Sequence, residues 1–342
     1  MLLSNPKIQE LIEKACRGRS QIKLTIGTYA DCEKSILVFG EAGEIPNENY
    51  TYEIGSITKT FTTSLMMKYV LEQKMSLDDS ISKYVDGLDG GAYYPTLGRL
   101  ATHTAGYSGM LPTIGMDIPR VLLAQLFGKQ GKFPFRLDLE KKKQLLRKNK
   151  LQDKEYPWQY SNFGVALIGY AVGIVSGRGY RDTMNDFLVK DLGLLHSYTG
   201  TCTTKNLCGF SEKNKSLGNW EWGEDLSAPA GDISSTAEDV LNYAKMNMFE
   251  EKPYLSFCHQ KQINISQQAN TFKQENLSMG LGWYLHEKSS CILHNGVTGA
   301  FRSYLAIDKE RKVTSLILVN YAMNPFEVEE LGLAVLEALQ KK

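Results

Sequence analysis

Strand patterns occupy the two ends of this chain and helix patterns the stretch between them, an order that points to a sheet assembled from both ends. Gln21 to Ala30 and Ser35 to Gly40 are enriched in Thr, Ile and Val with a polar break between them, as paired strands are. Strand patterns return at Gly282 to His286, Ala300 to Asp308 and Val313 to Asn320. Asn5-Pro6 reads as a cap and first-turn proline for a helix burying Ile8, Leu11, Ile12 and Ala15. From Ser56 to Lys74, Ile57, Phe61, Leu65, Met66 and Val70 mark a largely buried helix. Threonines at its start are poor helix formers, so packing must carry that segment. Ser235-Thr236-Ala237-Glu238 has capping-box spacing and opens a helix through Met246. A closing helix sets Val328, Leu331, Val335 and Leu339 on one side and Glu329, Glu330 and Glu337 elsewhere. The expected fold class is α/β of the α+β kind, an antiparallel sheet flanked by helices with an inserted all-helical domain. Expected segments are 1–75 and 225–342 for the α/β domain and 76–224 for the mostly helical insertion.

Charge sets no partner. Lys plus Arg is 39 and Asp plus Glu 38, so nothing pulls the chain toward nucleic acid or an anionic membrane. The local run Lys141, Lys142, Lys143, Arg147, Lys148 and Lys150 is expected to be the solvated face of a helix whose buried side is Leu139, Leu145, Leu146 and Leu151. Ser161 to Gly177 is uncharged but a little short of the ~20 residues of a spanning helix. Its Gly169, Gly173 and Gly177 repeat every four residues, read as close packing of a buried helix; no transmembrane segment is expected. Cys16, Cys32, Cys202, Cys208, Cys258 and Cys291 show no metal-ligand or disulfide-framework spacing. With no signal-peptide core in Met1 to Glu10, a cytoplasmic location is the expectation.

Ser56-Ile57-Thr58-Lys59 is an S-x-x-K motif. Helix positions three apart have Cβ atoms roughly 5–6 Å apart, so Lys59 can reach the Ser56 hydroxyl. A lysine serves as a base only when burial or nearby positive charge lowers its pKa. The motif also occurs at Ser4/Lys7, Ser20/Lys23 and Ser80/Lys83. Only Ser56 follows a strand-like Tyr52-Glu53-Ile54-Gly55 and opens a long apolar helix, whose N-terminus suits a developing oxyanion. Tyr160-Ser161-Asn162 is the one Tyr-x-Asn in the chain and His294-Asn295-Gly296 the one His-x-Gly.

In these three motifs and their order the sequence resembles the serine β-lactamase, penicillin-binding DD-peptidase and esterase family. Class C β-lactamases, and the peptidases and esterases similar to them, carry Tyr-x-Asn second and Lys- or His-x-Gly third. Leu100-Ala101-Thr102-His103-Thr104-Ala105-Gly106 resembles the family's His-Thr-Ser-Gly loop, and Ser76-Leu77-Asp78-Asp79 its Leu-x-Leu-Asp-Asp segment. Pro229-Ala230-Gly231-Asp232 through Ala237-Glu238-Asp239 resembles its Pro-Ala-Gly-Gly … Ser-Thr-Ala-x-Asp stretch. Gly280-Leu281-Gly282-Trp283, Gly299-Ala300-Phe301 and Leu305-Ala306-Ile307-Asp308 match its C-terminal strands. The resemblance runs from about Ile22 to Asn320.

It implies a β-lactamase/transpeptidase-like fold and a serine acyl-hydrolase needing no metal or organic cofactor. Ser56 would attack a carbonyl, with Lys59 and Tyr160 sharing proton transfer and the tyrosine stabilised as a base by the adjacent ammonium. Asn162 would bind the substrate amide and orient Lys59. His294, Asn295, Gly296 and Val297 would line the substrate, the N–H groups of Ser56 and Val297 forming the oxyanion hole. His103 is read as organising its loop. The partners implied are an ester, a D-residue-containing peptide or a β-lactam; the oligomeric state is left open. Asn295 stands where many members have Thr, and Val297 where hydroxyl or small residues are usual. A histidine with the ordinary pKa of ~6.5 would attract a substrate carboxylate only at acid pH. The leading expectation is therefore an ester or D-amide hydrolase. Its alternatives are a DD-carboxypeptidase or β-lactamase, and a receptor acylated once without turnover.

Overall fold

Strands from both ends of the chain do meet in one sheet. The computed structural model describes residues 4–107, 139–200, 207–220, 222, 227–265 and 276–341. Its strands are β1 (Leu24–Ala30), β2 (Glu33–Gly40), β3 (Gly43–Ile45), β4 (Thr51–Glu53), β5 (Tyr198–Thr199), β6 (Ile233–Thr236), β7 (Ile263–Asn264), β8 (Leu277–Met279), β9 (Tyr284–His286), β10 (Cys291–Val297), β11 (Arg302–Asp308) and β12 (Val313–Val319). Nine of them form an antiparallel sheet in the order β3-β2-β1-β12-β11-β10-β9-β8-β7. β4, β6 and β5 make a small second sheet.

The helices are α1 (Pro6–Cys16), α2 (Thr58–Leu71), α3 (Leu97–Ala101), α4 (Leu139–Lys148), α5 (Asn162–Ser176), α6 (Tyr180–Asp186), α7 (Ala237–Met248), α8 (Pro253–Cys258) and α9 (Pro325–Gln340). Side chains alternate across the large sheet with the two-residue period of strands. Tyr304, Ala306, Ile317 and Val319 join Ile8, Ile12, Val328, Leu331 and Val335 in the layer of α1 and α9. Leu305, Ile307, Leu316 and Leu318 join Phe61, Leu65, Val240 and Leu241 in the layer of α2 and α7. β12 is buried along its whole length because both faces are covered.

The expected fold class is therefore the observed one, with local corrections. β10 was not among the expected strands, because His294, Asn295 and Gly296 interrupt its apolar pattern. The cap of α7 is Thr236, whose hydroxyl accepts from Asp239 N–H at 3.3 Å, one residue later than the Ser235/Glu238 box. Ser235 instead belongs to β6. Glu329 is buried with its apolar neighbours, because α9 is wedged between the sheet and α1. Lys142 is also buried, so the basic run on α4 is not wholly a solvated face.

α2 is buried on all sides from Thr58 to Met67. Its threonines are tolerated because their hydroxyls are engaged: Thr60 donates to Ile57 O, Thr62 to Pro229 O and Thr63 to Leu281 O at 2.7–2.9 Å, and Thr58 accepts from Ile233 N–H at 3.1 Å. Among the described residues no single helix is long and apolar enough to cross a membrane. The glycines of α5 mark close approach: a Cβ on Gly169 would overlap the Pro229 ring, and one on Gly173 would lie 2.7 Å from Tyr180 N. Overpacking of this kind lowers stability by about 1–3 kcal/mol. Gly169→Ala is therefore expected to lower the unfolding free energy by that amount, read as a lower denaturant midpoint at unchanged m-value, and an unshifted midpoint would show that the Pro229 turn gives way freely.

Candidate active site

β4 delivers the chain to a tight turn at the edge of the large sheet. After Glu53 the backbone passes Ile54 and enters a 3-10 turn, Gly55–Ile57, before α2 begins at Thr58. Ser56 thus sits on the turn and Lys59 on the helix, rather than both on one helix. Gly55 has φ +53°, and a Cβ there would lie 2.7 Å from Val297 N. Only glycine meets both demands. Ser303 Oγ donates to Ile54 O at 2.8 Å, and a Cβ on Gly296 would overlap that same carbonyl. The turn bearing Ser56 is in this way pressed against the end of β10.

Two groups converge on the Ser56 hydroxyl. Lys59 Nζ lies 2.9 Å from Ser56 Oγ, and the Tyr160 phenol donates to the same oxygen at 2.7 Å. Lys59 is further held by donation to Ala230 O at 2.6 Å and sits 4.9 Å from the Tyr160 ring centre. Its pKa is lowered well below 10.5 by burial alone. Burial likewise raises the Tyr160 pKa well above 10, with Tyr284 acting in the same sense and the Ser56 hydrogen bond opposing. The favoured pair is a neutral amine and a neutral phenol. Tyr160 donates to Ser56 Oγ in this geometry, and burial of both groups disfavours the expected pairing of a phenolate with a Lys59 ammonium. The amine keeps a lone pair for the Ser56 proton while one of its N–H groups holds Ala230.

The third motif departs further from expectation. His294 is fully buried, with Nδ1 2.6 Å from Asn295 O, an acceptor only, so that nitrogen carries the proton. Burial, with a smaller push from Lys59, takes its pKa down to about 3. His294 therefore offers no imidazolium to a substrate carboxylate at any pH near neutrality. Tyr284 packs against it at 5.2 Å between ring centres. Arg302, farther along the same strand pair, donates Nε and Nη1 to the carbonyls of Met323, Thr298 and Phe301. Asn162, at the start of α5, makes no hydrogen bond to Lys59; the Ala230 carbonyl orients the amine instead. Asn295 is half-buried, while Val297, 43% exposed, forms the open rim of the cleft.

His103 has the expected organising role. Its carbonyl accepts from Gln159 N–H at 2.9 Å and its Nδ1 from Ser161 N–H at 3.2 Å, which brackets Tyr160. Ala230 and Tyr284 carried no assigned role in the sequence. Ala230 acts through a backbone carbonyl, which no side-chain pattern reports, although Pro229-Ala230-Gly231-Asp232 marked the segment. The described residues contain no cluster of His, Cys, Asp or Glu able to hold a metal ion.

Comparison with known proteins places this geometry in context. The family model described as Beta-lactamase matches residues 35–340. A β-lactamase of Providencia stuartii is 24% identical over 72% of this chain and 60% of its own length. Protein flp of Staphylococcus aureus strain MW2 is 22% identical over 79% of this chain and 52% of its own. The chain thus spans half to three-fifths of the length of these relatives. Among solved structures, the octameric penicillin-binding protein homologue from Pyrococcus abyssi superimposes with TM-score 0.79 at 20% identity, covering 100% of this chain and 78% of that one. The β-lactamase/D-alanine carboxypeptidase from Pseudomonas syringae gives TM-score 0.74 at 17% identity, covering 96% and 97%.

A buried neutral amine sets the pH response. The reactive form is unprotonated, so Ser56 reactivity should fall as pH drops through the Lys59 pKa. That acid limb should lie well below the ordinary lysine value of 10.5. The rate of fluorophosphonate labelling as a function of pH reads it directly. A rate still climbing steeply near pH 10 would show that Lys59 stays protonated.

Proposed function

The chain belongs to the beta-lactamase family, whose members are serine acyl-hydrolases, and on that premise we propose that it hydrolyses a small neutral ester or a D-residue-containing amide through an acyl-enzyme on Ser56. The observation that carries this reading is the Ser56 oxygen, 2.9 Å from Lys59 Nζ and 2.7 Å from the Tyr160 hydroxyl. Ser56 Oγ adds to the substrate carbonyl as its proton passes to Lys59 Nζ. Backbone N–H groups of Ser56 and Val297 receive the oxyanion, a contribution of about 10²–10³ in rate for one such donor. As the tetrahedral adduct collapses, the C–O or C–N bond breaks and Tyr160 gives its proton to the leaving group. The Lys59 ammonium then returns a proton to Tyr160. Water retraces these steps from the other side: Lys59 takes its proton, hydroxide adds to the acyl carbon, and Ser56 leaves reprotonated.

Substrate charge is the point on which the readings divide. The Pseudomonas syringae neighbour is described as both a β-lactamase and a D-alanine carboxypeptidase, activities on carboxylate-bearing substrates. A buried neutral His294 and an Arg302 engaged with carbonyls favour neutral substrates here.

Ser56→Ala is expected to abolish fluorophosphonate labelling and nearly all ester turnover, while Ser4→Ala, Ser20→Ala and Ser80→Ala behave as the parent. Lys59→Ala and Tyr160→Phe should each lose about 10²–10⁴ in kcat, and the double variant little more, because one proton-transfer unit is disabled once. An adduct mapped to another serine would end the assignment. One stable adduct per chain without further product would identify an acylated receptor.

Selectivity is tested separately. p-Nitrophenyl acetate should be cleaved with higher kcat/KM than nitrocefin or D-alanyl-D-alanine peptides at neutral pH. Faster nitrocefin hydrolysis would reveal a carboxylate-binding group other than His294.

A further inference from the structure

A carboxylate is buried on the strand that leads into the Ser56 turn. Glu53 is the last residue of β4, 5% exposed and in register with Ser234 of β6. The next residue, Ile54, is fastened on both sides: its N–H donates to Ile233 O at 3.0 Å and its carbonyl accepts from Ser303 Oγ at 2.8 Å. Glu53 adds ties to two further elements. Its Oε1 accepts from Trp220 N–H at 2.7 Å, at the end of the segment 207–220. The Thr298 hydroxyl donates to the same carboxylate from the turn between β10 and β11, and the Asn219 side chain contributes a weaker bond.

Thr298 is suited to that contact. Its N–H donates to Phe301 O at 3.1 Å, its Oγ1 accepts from Phe301 N–H at 3.3 Å, and its carbonyl accepts from Arg302 Nη1 at 2.9 Å. The hydroxyl proton is what remains, and Glu53 takes it. The carboxylate nevertheless sits in a poor place for a charge. Its Oε2 has no partner at full hydrogen-bond geometry. Burial pushes the carboxyl pKa up to about 7 against the bonds from Thr298, Trp220 N–H and Asn219, with Asp232 adding to the rise. Asp232 is itself held by Arg181 Nε and Nη2 at 3.0 and 2.8 Å and by Gly200 N–H at 3.0 Å. Arg302, on the β10–β11 side, is turned to the carbonyls of Met323, Thr298 and Phe301. A buried group so incompletely satisfied weakens a fold. A glutamine has nearly the same shape without the charge.

We propose that Glu53 is a positioning residue for acyl transfer. Its carboxylate ties the strand before Ser56 to Thr298 and so holds the Ser56 and Val297 N–H groups at the spacing an oxyanion needs. Val297 directly precedes Thr298, and Gly55, whose Cβ position would be 2.7 Å from Val297 N, directly precedes Ser56. A shift at either end of the tie therefore moves one donor relative to the other. Glu53 acts through the backbone on both sides of it. Donors placed in advance stabilise developing charge best, so loosening them is felt in the transition state, as a fall in kcat with KM unchanged.

This inference rests on Ser56 being the acylated nucleophile, and its test separates the two. Glu53→Gln keeps an acceptor for Trp220 N–H but sets an amide against the Thr298 hydroxyl. With p-nitrophenyl acetate at pH 8 it should lower kcat about tenfold and leave KM unchanged. The ratio of parent to variant kcat should shrink toward one at pH 5, where the parent carboxyl also carries its proton. The same variant should be the more stable protein. A carboxyl with a pKa of about 7 in the fold and 4.5 when unfolded loses stability as pH rises between those values, and glutamine does not. The denaturant midpoint of Glu53→Gln should thus exceed that of the parent at pH 8 and match it near pH 4. Thr298→Val removes the tie from its other end, and decides the matter if the glutamine variant does not fold. It should lower kcat by a similar factor and add little to Glu53→Gln, and Thr298→Ser, which retains the hydroxyl, should recover most of the loss. A merely structural carboxylate would give the same kcat ratio at every pH, or lose stability and activity together; either result overturns the proposal. Unchanged kcat at pH 8, in a parent that labels at Ser56, overturns it and leaves the hydrolase standing. A parent whose Ser56 resists fluorophosphonate and that turns over no ester removes both readings.

Discussion

The site is organised around one amine taken out of water without a counter-charge. Lys59 is fully buried, and its hydrogen-bond partners are Ser56 Oγ and the Ala230 carbonyl. Burying an unpaired ammonium is so unfavourable that the group gives up its proton instead. The arrangement survives because α2 is enclosed on every side and its polar groups are satisfied locally. Threonine hydroxyls close on carbonyls of its own first turns and on Pro229 and Leu281. The inserted helices and the large sheet are thus both needed to make Lys59 a base.

Other titratable groups behind the site follow the same rule. His103 and His294 are also buried, and the pKa of each is lowered first by burial, with any positive charge on Lys59 acting in the same sense. Tyr160 keeps its proton for the same reason, its pKa raised chiefly by burial. Burial therefore favours neutral donors and acceptors on the floor of the site, and the proton transfers proposed here stay within the Ser56, Lys59 and Tyr160 set. Such a floor suits a substrate whose own charge does not change, as in ester or amide acyl transfer.

Much of this was legible in the sequence, for reasons that can be named. The sheet could be drawn from both chain ends because β1, β2, β11 and β12 keep an uninterrupted strand composition. β10 broke that pattern because its centre is spent on the third motif. The Ser56–Lys59 contact followed from a three-residue spacing that serves a 3-10 turn entering a helix as well as a helix. Tyr160 and His294 were reached through resemblance, which supplied position but not ionisation. Whether His294 is a solvated cation or a buried neutral ring depends on Tyr284 and Lys59, brought to it by the fold from distant parts of the chain. The roles of Ala230 and Gly55 are backbone roles, which no side-chain pattern reports.

The close backbone approach at Gly55 links these parts mechanically. With a Cβ position 2.7 Å from Val297 N, the Ser56 turn and the end of β10 cannot shift independently. Ser303 fastens the same turn from β11 through the Ile54 carbonyl. The two N–H groups proposed for the oxyanion come from these two elements, so their separation is fixed by packing and does not await the substrate. Donors set in place beforehand need no reorganisation when charge develops, which is where electrostatic stabilisation is most effective. Val297 can be exposed and lack a hydroxyl without disturbing this, because its contribution is made by the main chain. Side-chain variation at the third motif can then alter which substrates are held while leaving the acyl-transfer geometry in place.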